Sequence, residues 1–142
     1  MTSGDDSERS FAAADRELRG WATPIAFWSL IHGCGCFALL LLDRVDLSVE
    51  EQWFLVTTGA CWLTSSIAIR RLQTTGSGFS GRLAAVTQGG VALLILSWGL
   101  LRRDTITIAS WSFLDGLIDV SFHAAAAVGL WLTLKKYDTF LV

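Results

Sequence analysis

Four long apolar stretches are the feature that most constrains the fold of this 142-residue chain. They cover residues 24–42, 53–69, 83–101 and 116–134. Each is close to the roughly 20 residues that a helix needs to cross about 30 Å of hydrocarbon. Membrane-spanning β-strands would be about half as long and would alternate polar and apolar side chains, which these stretches do not do. The sequence therefore predicts an all-α integral membrane protein, a bundle of four transmembrane helices.

The composition favours a membrane protein over a soluble domain. Charged residues make up 17% of the chain and hydrophobic residues 52%, whereas a soluble domain carries about 25% charged residues. The Lys and Arg residues form no dense basic patch, so we expect no nucleic-acid partner. We expect the lipid bilayer of the cell (inner) membrane to surround the chain.

The distribution of Lys and Arg predicts the orientation. With a cytoplasmic N-terminus, eight of these residues lie on the inner side and three on the outer side, namely Arg44, Arg102 and Arg103. The positive-inside rule then places both termini in the cytoplasm. The first 22 residues are polar, and no small-residue cleavage site follows the first apolar stretch, so we expect that stretch to be retained as a helix.

Two units can be drawn along the chain. Residues 1–22 form a cytoplasmic N-terminal segment with a short amphipathic helix over 10–19, and residues 23–142 form the transmembrane domain. Between the second and third apolar stretches, the Gly- and Ser-rich residues 73–81 predict a flexible loop.

A polar stripe on the fourth stretch is the main functional clue. Asp115, Asp119 and His123 stand at i, i+4 and i+8, which puts them on one face of a helix. An ionisable side chain in hydrocarbon costs roughly 2.5–3.5 kcal/mol on insertion scales, so such groups often serve a function. His32 in the first stretch lies at a similar depth. Together these four side chains predict a site that binds or conducts a proton or a cation.

The same histidines allow two cofactor hypotheses. His32 and His123 could be the axial ligands of a haem b, in a membrane anchor subunit of an oxidoreductase. Alternatively, the four-residue pairs His32/Cys36 and Asp119/His123 could hold a transition metal between the first and fourth helices.

A structural interpretation stands beside these hypotheses. His123 could be one hydrogen-bonded polar residue in a bundle, and Gln88, Ser65 and Ser66 are expected to support close helix packing through interhelical hydrogen bonds. The chain has no phosphate-binding glycine loop, nucleophile elbow or zinc-protease motif. We therefore expect a non-enzymatic component of a homo-oligomer or a larger membrane complex. Proton or cation handling, haem binding and a purely structural role remain open.

Overall fold

The fold is a bundle of four helices, as the apolar stretches predict. The structure is a computed structural model that describes residues 3–42, 47–101 and 113–136. Its helices are α1 (Ser3–Leu41), α2 (Val49–Thr75), α3 (Gly78–Leu101) and α4 (Phe113–Lys136). Three segments of the described chain are long and apolar enough to cross a membrane, namely Asp15–Leu41, Gly78–Leu101 and Gly116–Lys136. Arg44, Arg102 and Arg103, on which the orientation partly depends, lie outside the described residues.

Helix α2 is less apolar than its neighbours. It was expected to span the membrane over 53–69, and it is a 27-residue helix, but it is not among the three apolar segments. Several of its polar side chains are buried inside the bundle, including Thr58, Ser65 and Ser66. The lower hydropathy of α2 therefore comes partly from side chains that contact the other helices.

The ends of α2 follow from local capping. Ser48 accepts a hydrogen bond from the Glu51 backbone N–H, and the Glu51 carboxylate accepts one from the Ser48 backbone N–H, which forms a capping box. Gly76 ends the helix with a left-handed φ of 67°, which favours glycine. Only Gly76 and Ser77 separate α2 from α3. The prediction of a flexible loop over 73–81 is therefore wrong, because most of these residues extend the two helices.

Helix α1 runs without a break through Pro24. The residues expected to form a separate N-terminal helix over 10–19 are helical, but they continue directly into the first apolar segment. Pro24 cannot donate a hydrogen bond to the Gly20 carbonyl, a loss that costs about 3 kcal/mol in a helix interior. Ala22, Ile25 and Ala26 on either side of the proline are buried in the bundle core. This packing explains how the helix continues across the proline.

The core consists of two apolar clusters, one at each end of the bundle. The first, which we name the packed end, lies near the α2–α3 turn and includes Ile69, Leu72, Ala84, Leu130 and Leu134. The second, the cavity end, lies toward the α1–α2 and α3–α4 connections and is formed by Cys36, Leu55, Trp62, Val91 and Ile95. Helices α1 and α2, α2 and α3, and α3 and α4 pack side by side, and the smallest contact joins α1 to α4.

Candidate functional site: a buried polar network beside a cavity

His123 occupies the centre of the bundle. Its side chain is fully buried. The indole Nε1 of Trp62 donates a hydrogen bond to His123 Nε2 over 3.0 Å, and His123 Nδ1 lies 2.5 Å from Gln88 Oε1. Because an indole N–H can only donate, Nε2 must be the accepting nitrogen. The proton of the neutral ring therefore sits on Nδ1 and is donated to the Gln88 carbonyl oxygen, a tautomer that the hydrogen bonds themselves assign.

The amide nitrogen of the Gln88 side chain extends these hydrogen bonds to α1. Gln88 Nε2 donates to Ser29 Oγ at 2.9 Å and to Ser65 Oγ at 2.7 Å. We name this set the polar network: Ser29 of α1, Trp62 and Ser65 of α2, Gln88 of α3 and His123 of α4. All five side chains are buried. The network therefore joins all four helices at one level of the bundle.

The hydrogen bonds of the network fit only an uncharged His123. A proton added to Nε2 would point toward the Trp62 N–H, so that two donors would face each other with no acceptor between them. The lone pair of Nε2 is likewise already engaged by Trp62. Coordination of a haem iron or a metal through this nitrogen would require the indole to move away. The network thus uses His123 as a fixed link between helices.

Asp119 of the predicted stripe is placed differently from His123. Asp119 lies one turn before His123 on α4, is half-buried, and interacts with its surroundings. Asp115 falls in the first turn of α4, and its side chain lies outside the described part of the chain. Among the described residues, no group of three or more His, Cys, Asp or Glu side chains is placed to hold a metal ion.

Both histidines pack against the ring system of Trp62. The His32 ring centroid lies 5.0 Å from the Trp62 centroid, and the His123 centroid lies 5.6 Å from it. His32 Nδ1 donates to the Trp28 carbonyl oxygen at 3.0 Å, and its ring packs against the Trp28 ring. Cys36, one turn further along α1, is buried. His32 is thus outside the polar network, in contact with one of its members.

A cavity of about 590 Å³ opens next to the network at the cavity end. All four helices contribute to its walls, which are mostly apolar. The side chains with polar atoms that line it are His32, Cys36, Thr58, Trp62 and Trp98. Trp62 is therefore a member of the polar network and of the cavity wall at once.

The sequence contains only weak signals for the residues that complete this site. Ser29 precedes His32 by three residues, and Ser65 follows Trp62 by three, so each pair shares a helix face. Gln88 and Ser65 lie in the network, whereas Ser66 is buried on α2 outside it. Nothing in the spacing along one helix reveals which side chain of another helix it will meet. The Trp62–His123 bond spans 61 residues and could not be read from the sequence.

Comparison with known protein families, curated proteins and solved structures gives no match to this chain.

Proposed function

We propose that this multi-pass membrane protein is a non-enzymatic structural component of a membrane assembly, composed of copies of itself or of other subunits. The observation that carries the proposal is the polar network. Its donors and acceptors are matched within the bundle, and each of the four helices contributes at least one side chain. His123, a member of the polar stripe that is the main functional clue in the sequence, is engaged through both ring nitrogens.

A satisfied buried network favours one arrangement of the helices. Any rotation or sliding of a helix would leave buried donors or acceptors without partners, which costs about 1–3 kcal/mol for each group. Interhelical hydrogen bonds inside membranes contribute roughly 0.6–2 kcal/mol each. The bundle would therefore present a constant outer surface to neighbouring subunits, as an assembly component requires. The positive-inside asymmetry supports the further proposal that both termini face the cytoplasm, from a cell (inner) membrane.

The test is the oligomeric state in lipid. Each copy of the protein is labelled with one fluorophore and placed in vesicles over a series of lipid dilutions. The number of copies in each complex is then counted from single-molecule photobleaching steps. We expect a fixed number of copies above one, or a constant partner subunit that is isolated with the protein from its own membrane. His123→Leu should reduce the assembly, whereas Asp119→Asn should leave it unchanged. A monomer at every dilution, isolated without a partner subunit, would overturn the proposal.

Proton or cation conduction is the second candidate. Asp119 favours it, because this acidic residue is half-buried on an apolar helix long enough to span a membrane, one turn from His123. In vesicles loaded with a pH-sensitive dye, Asp119→Asn should abolish the proton flux of the wild type. Asp15→Asn, which removes a carboxyl group paired with Arg19 near the other end of the bundle, is the matched control. Wild-type flux equal to that of empty vesicles would exclude this role.

Haem binding is the remaining hypothesis from the sequence. The optical spectrum of the protein purified in mild detergent tests it directly. A Soret band that shifts on reduction, and that His32→Ala and His123→Ala each remove, would replace the structural proposal with a haem anchor.

A further inference from the structure

The cavity has the size and lining of a site for a small lipophilic molecule. Its volume of about 590 Å³ lies within the roughly 300–1,000 Å³ that is common for small-molecule sites, which are mostly apolar with a few polar groups. Phe54 and Trp98 stack on each other in its wall, with ring centroids 4.5 Å apart. Ile31, Leu42 and Leu117 also line the cavity and are exposed on the outside of the bundle. The cavity is therefore open to the surroundings of the bundle, where a molecule dissolved in the bilayer could enter it.

Thr58 provides an unsatisfied polar atom at this cavity. Its side chain is 1% exposed, and Oγ1 is buried without a hydrogen-bond partner. A helical threonine usually satisfies its hydroxyl by bonding a carbonyl three or four residues earlier. Thr74, Thr75 and Thr87 of this chain all do so. Since a buried polar atom without a partner is rare and costs about 1–3 kcal/mol, the exception at Thr58 indicates a missing partner.

His32 determines which chemistry that partner should have. Its Nδ1 donates to the Trp28 carbonyl oxygen, so the neutral ring presents Nε2 as an acceptor. The cavity wall thus includes Thr58, whose buried hydroxyl can donate or accept, and His32, whose neutral imidazole can accept through Nε2. A hydroxyl group on the ligand matches both, whereas a carbonyl could only accept and a hydrocarbon could do neither.

We propose that the cavity binds a lipophilic molecule that carries a hydroxyl group, with Thr58 Oγ1 and the imidazole of His32 as its polar contacts. This site is distinct from the polar network, and its existence does not depend on the assembly role proposed above. Water alone would be a poor occupant, because Thr58 and His32 together offer partners for about one molecule, whereas most of the remaining wall of this 590 Å³ cavity is apolar.

A pair of brominated probes tests the proposal in lipid nanodiscs. One is a bromobiphenyl that carries a hydroxyl group, and the other is the same bromobiphenyl without it. Bromine quenches tryptophan fluorescence on contact, and Trp62 and Trp98 both line the cavity. We expect the hydroxyl probe to bind about threefold to tenfold more tightly than the hydrocarbon, after correction for partition into nanodiscs without protein.

Matched variants locate the binding. Thr58→Val should remove the preference for the hydroxyl probe, and Thr57→Val, at the exposed neighbouring position, should retain it. Gly35→Leu should abolish binding of both probes, because this glycine lines the cavity and its added side chain would enter open space. Gly90→Leu also meets open space but does not line the cavity, so binding should persist.

Three outcomes would overturn the proposal. Equal binding of both probes to the wild type would leave Thr58 without a ligand contact, as expected if only water or a lipid acyl chain enters. A preference that survives Thr58→Val would place the hydroxyl elsewhere. Binding that survives Gly35→Leu would place the whole molecule outside the cavity.

Discussion

The two ends of the bundle are built from residues of different size. Half of the buried cluster at the packed end is alanine, at positions 22, 26, 68, 84, 85 and 126. Small side chains let helix backbones approach closely, and Gly81 lies directly under the Leu134 side chain. At the cavity end, Phe54, Trp62 and Trp98 project between the helices and leave about 590 Å³ unfilled. The comparison shows that one four-helix bundle can combine a tightly packed half with a half that has room for a ligand.

The polar network lies where these two halves meet. Trp62 belongs to the apolar cluster of the cavity end, whereas its hydrogen-bond partner His123 stands one turn before the packed residue Ala126 on α4. The network is therefore positioned to hold the helices in register even though the packing on its two sides differs.

The largest difference between the two ends should appear when a glycine at each is replaced by leucine. Gly81→Leu places a side chain where Leu134 already packs. We expect the free energy of unfolding to fall by about 3 kcal/mol, the upper range for overpacking a core. Gly99→Leu enters open space at the cavity wall, and stability should stay unchanged or rise by up to about 1 kcal/mol, because glycine is unfavourable inside a helix. SDS titration measures the free energy of unfolding of both variants. Equal losses of stability would show that the packed end and the cavity end do not differ in packing.

Loss of His123 should have the next largest effect. His123→Leu leaves the Trp62 N–H and the Gln88 carbonyl oxygen without their present partner, and we expect a loss of about 2 kcal/mol. Gln88→Leu breaks the same chain of hydrogen bonds. The double variant should therefore lose less stability than the sum of the two single variants. Strictly additive losses in SDS titrations would show that the two side chains do not act together.

Removal of one hydroxyl group should lower stability at Ser65 but not at Thr58, which flank Trp62 along α2. Ser65→Ala removes an acceptor of the Gln88 amide, and stability should fall by about 1 kcal/mol. Thr58→Val removes an unpartnered buried hydroxyl and keeps the side-chain shape. In the absence of added ligand, stability should stay the same or rise by up to about 1 kcal/mol. The same unfolding titration compares them, and a larger loss for Thr58→Val than for Ser65→Ala would contradict the assignment.

The smallest effect is expected at the surface of the packed end. Lys136 Nζ lies 2.9 Å from Glu17 Oε2 and links α4 to α1, but the two side chains are 60% and 39% exposed. Lys136→Met should change the free energy of unfolding by less than about 0.5 kcal/mol, because exposed ion pairs contribute little. The difference should shrink further at high salt. Lys135→Met serves as the control, and a loss above about 1 kcal/mol for Lys136→Met alone would show a larger role.

Local rules predicted the helices better than their boundaries. The stretches 83–101 and 116–134 lie within α3 and α4, because continuous apolar sequence of this length needs a helix to satisfy its backbone in a membrane. The same rules failed at Pro24 and at residues 73–81. In both places, residues that commonly interrupt helices stay helical because neighbouring side chains are packed in the core. Ala22 and Leu72 are examples of these buried neighbours. Helix propensity describes an isolated segment, whereas tertiary contacts determine the conformation at Pro24 and at residues 73–81.

The site could be predicted only in part. Helical periodicity identified His123, Gln88 and Ser65 as polar residues of the apolar helices, because their type and depth are visible along the chain. Their pairing depends on how each helix is rotated about its axis, which a single sequence does not record. For the same reason, Trp62 as the donor to His123 and Thr58 as the unpartnered hydroxyl emerge only from the assembled bundle.

The double position of Trp62 creates a thermodynamic linkage. The indole that donates to His123 is also part of the cavity wall. A molecule that requires this ring to turn must first break the bond to His123, so its affinity is lowered by the free energy of that bond. By reciprocity, a molecule that packs on the ring in its present position makes the bond harder to break. Ligand binding in the cavity and the strength of the Trp62–His123 hydrogen bond are then thermodynamically coupled, so that a change in either one changes the other.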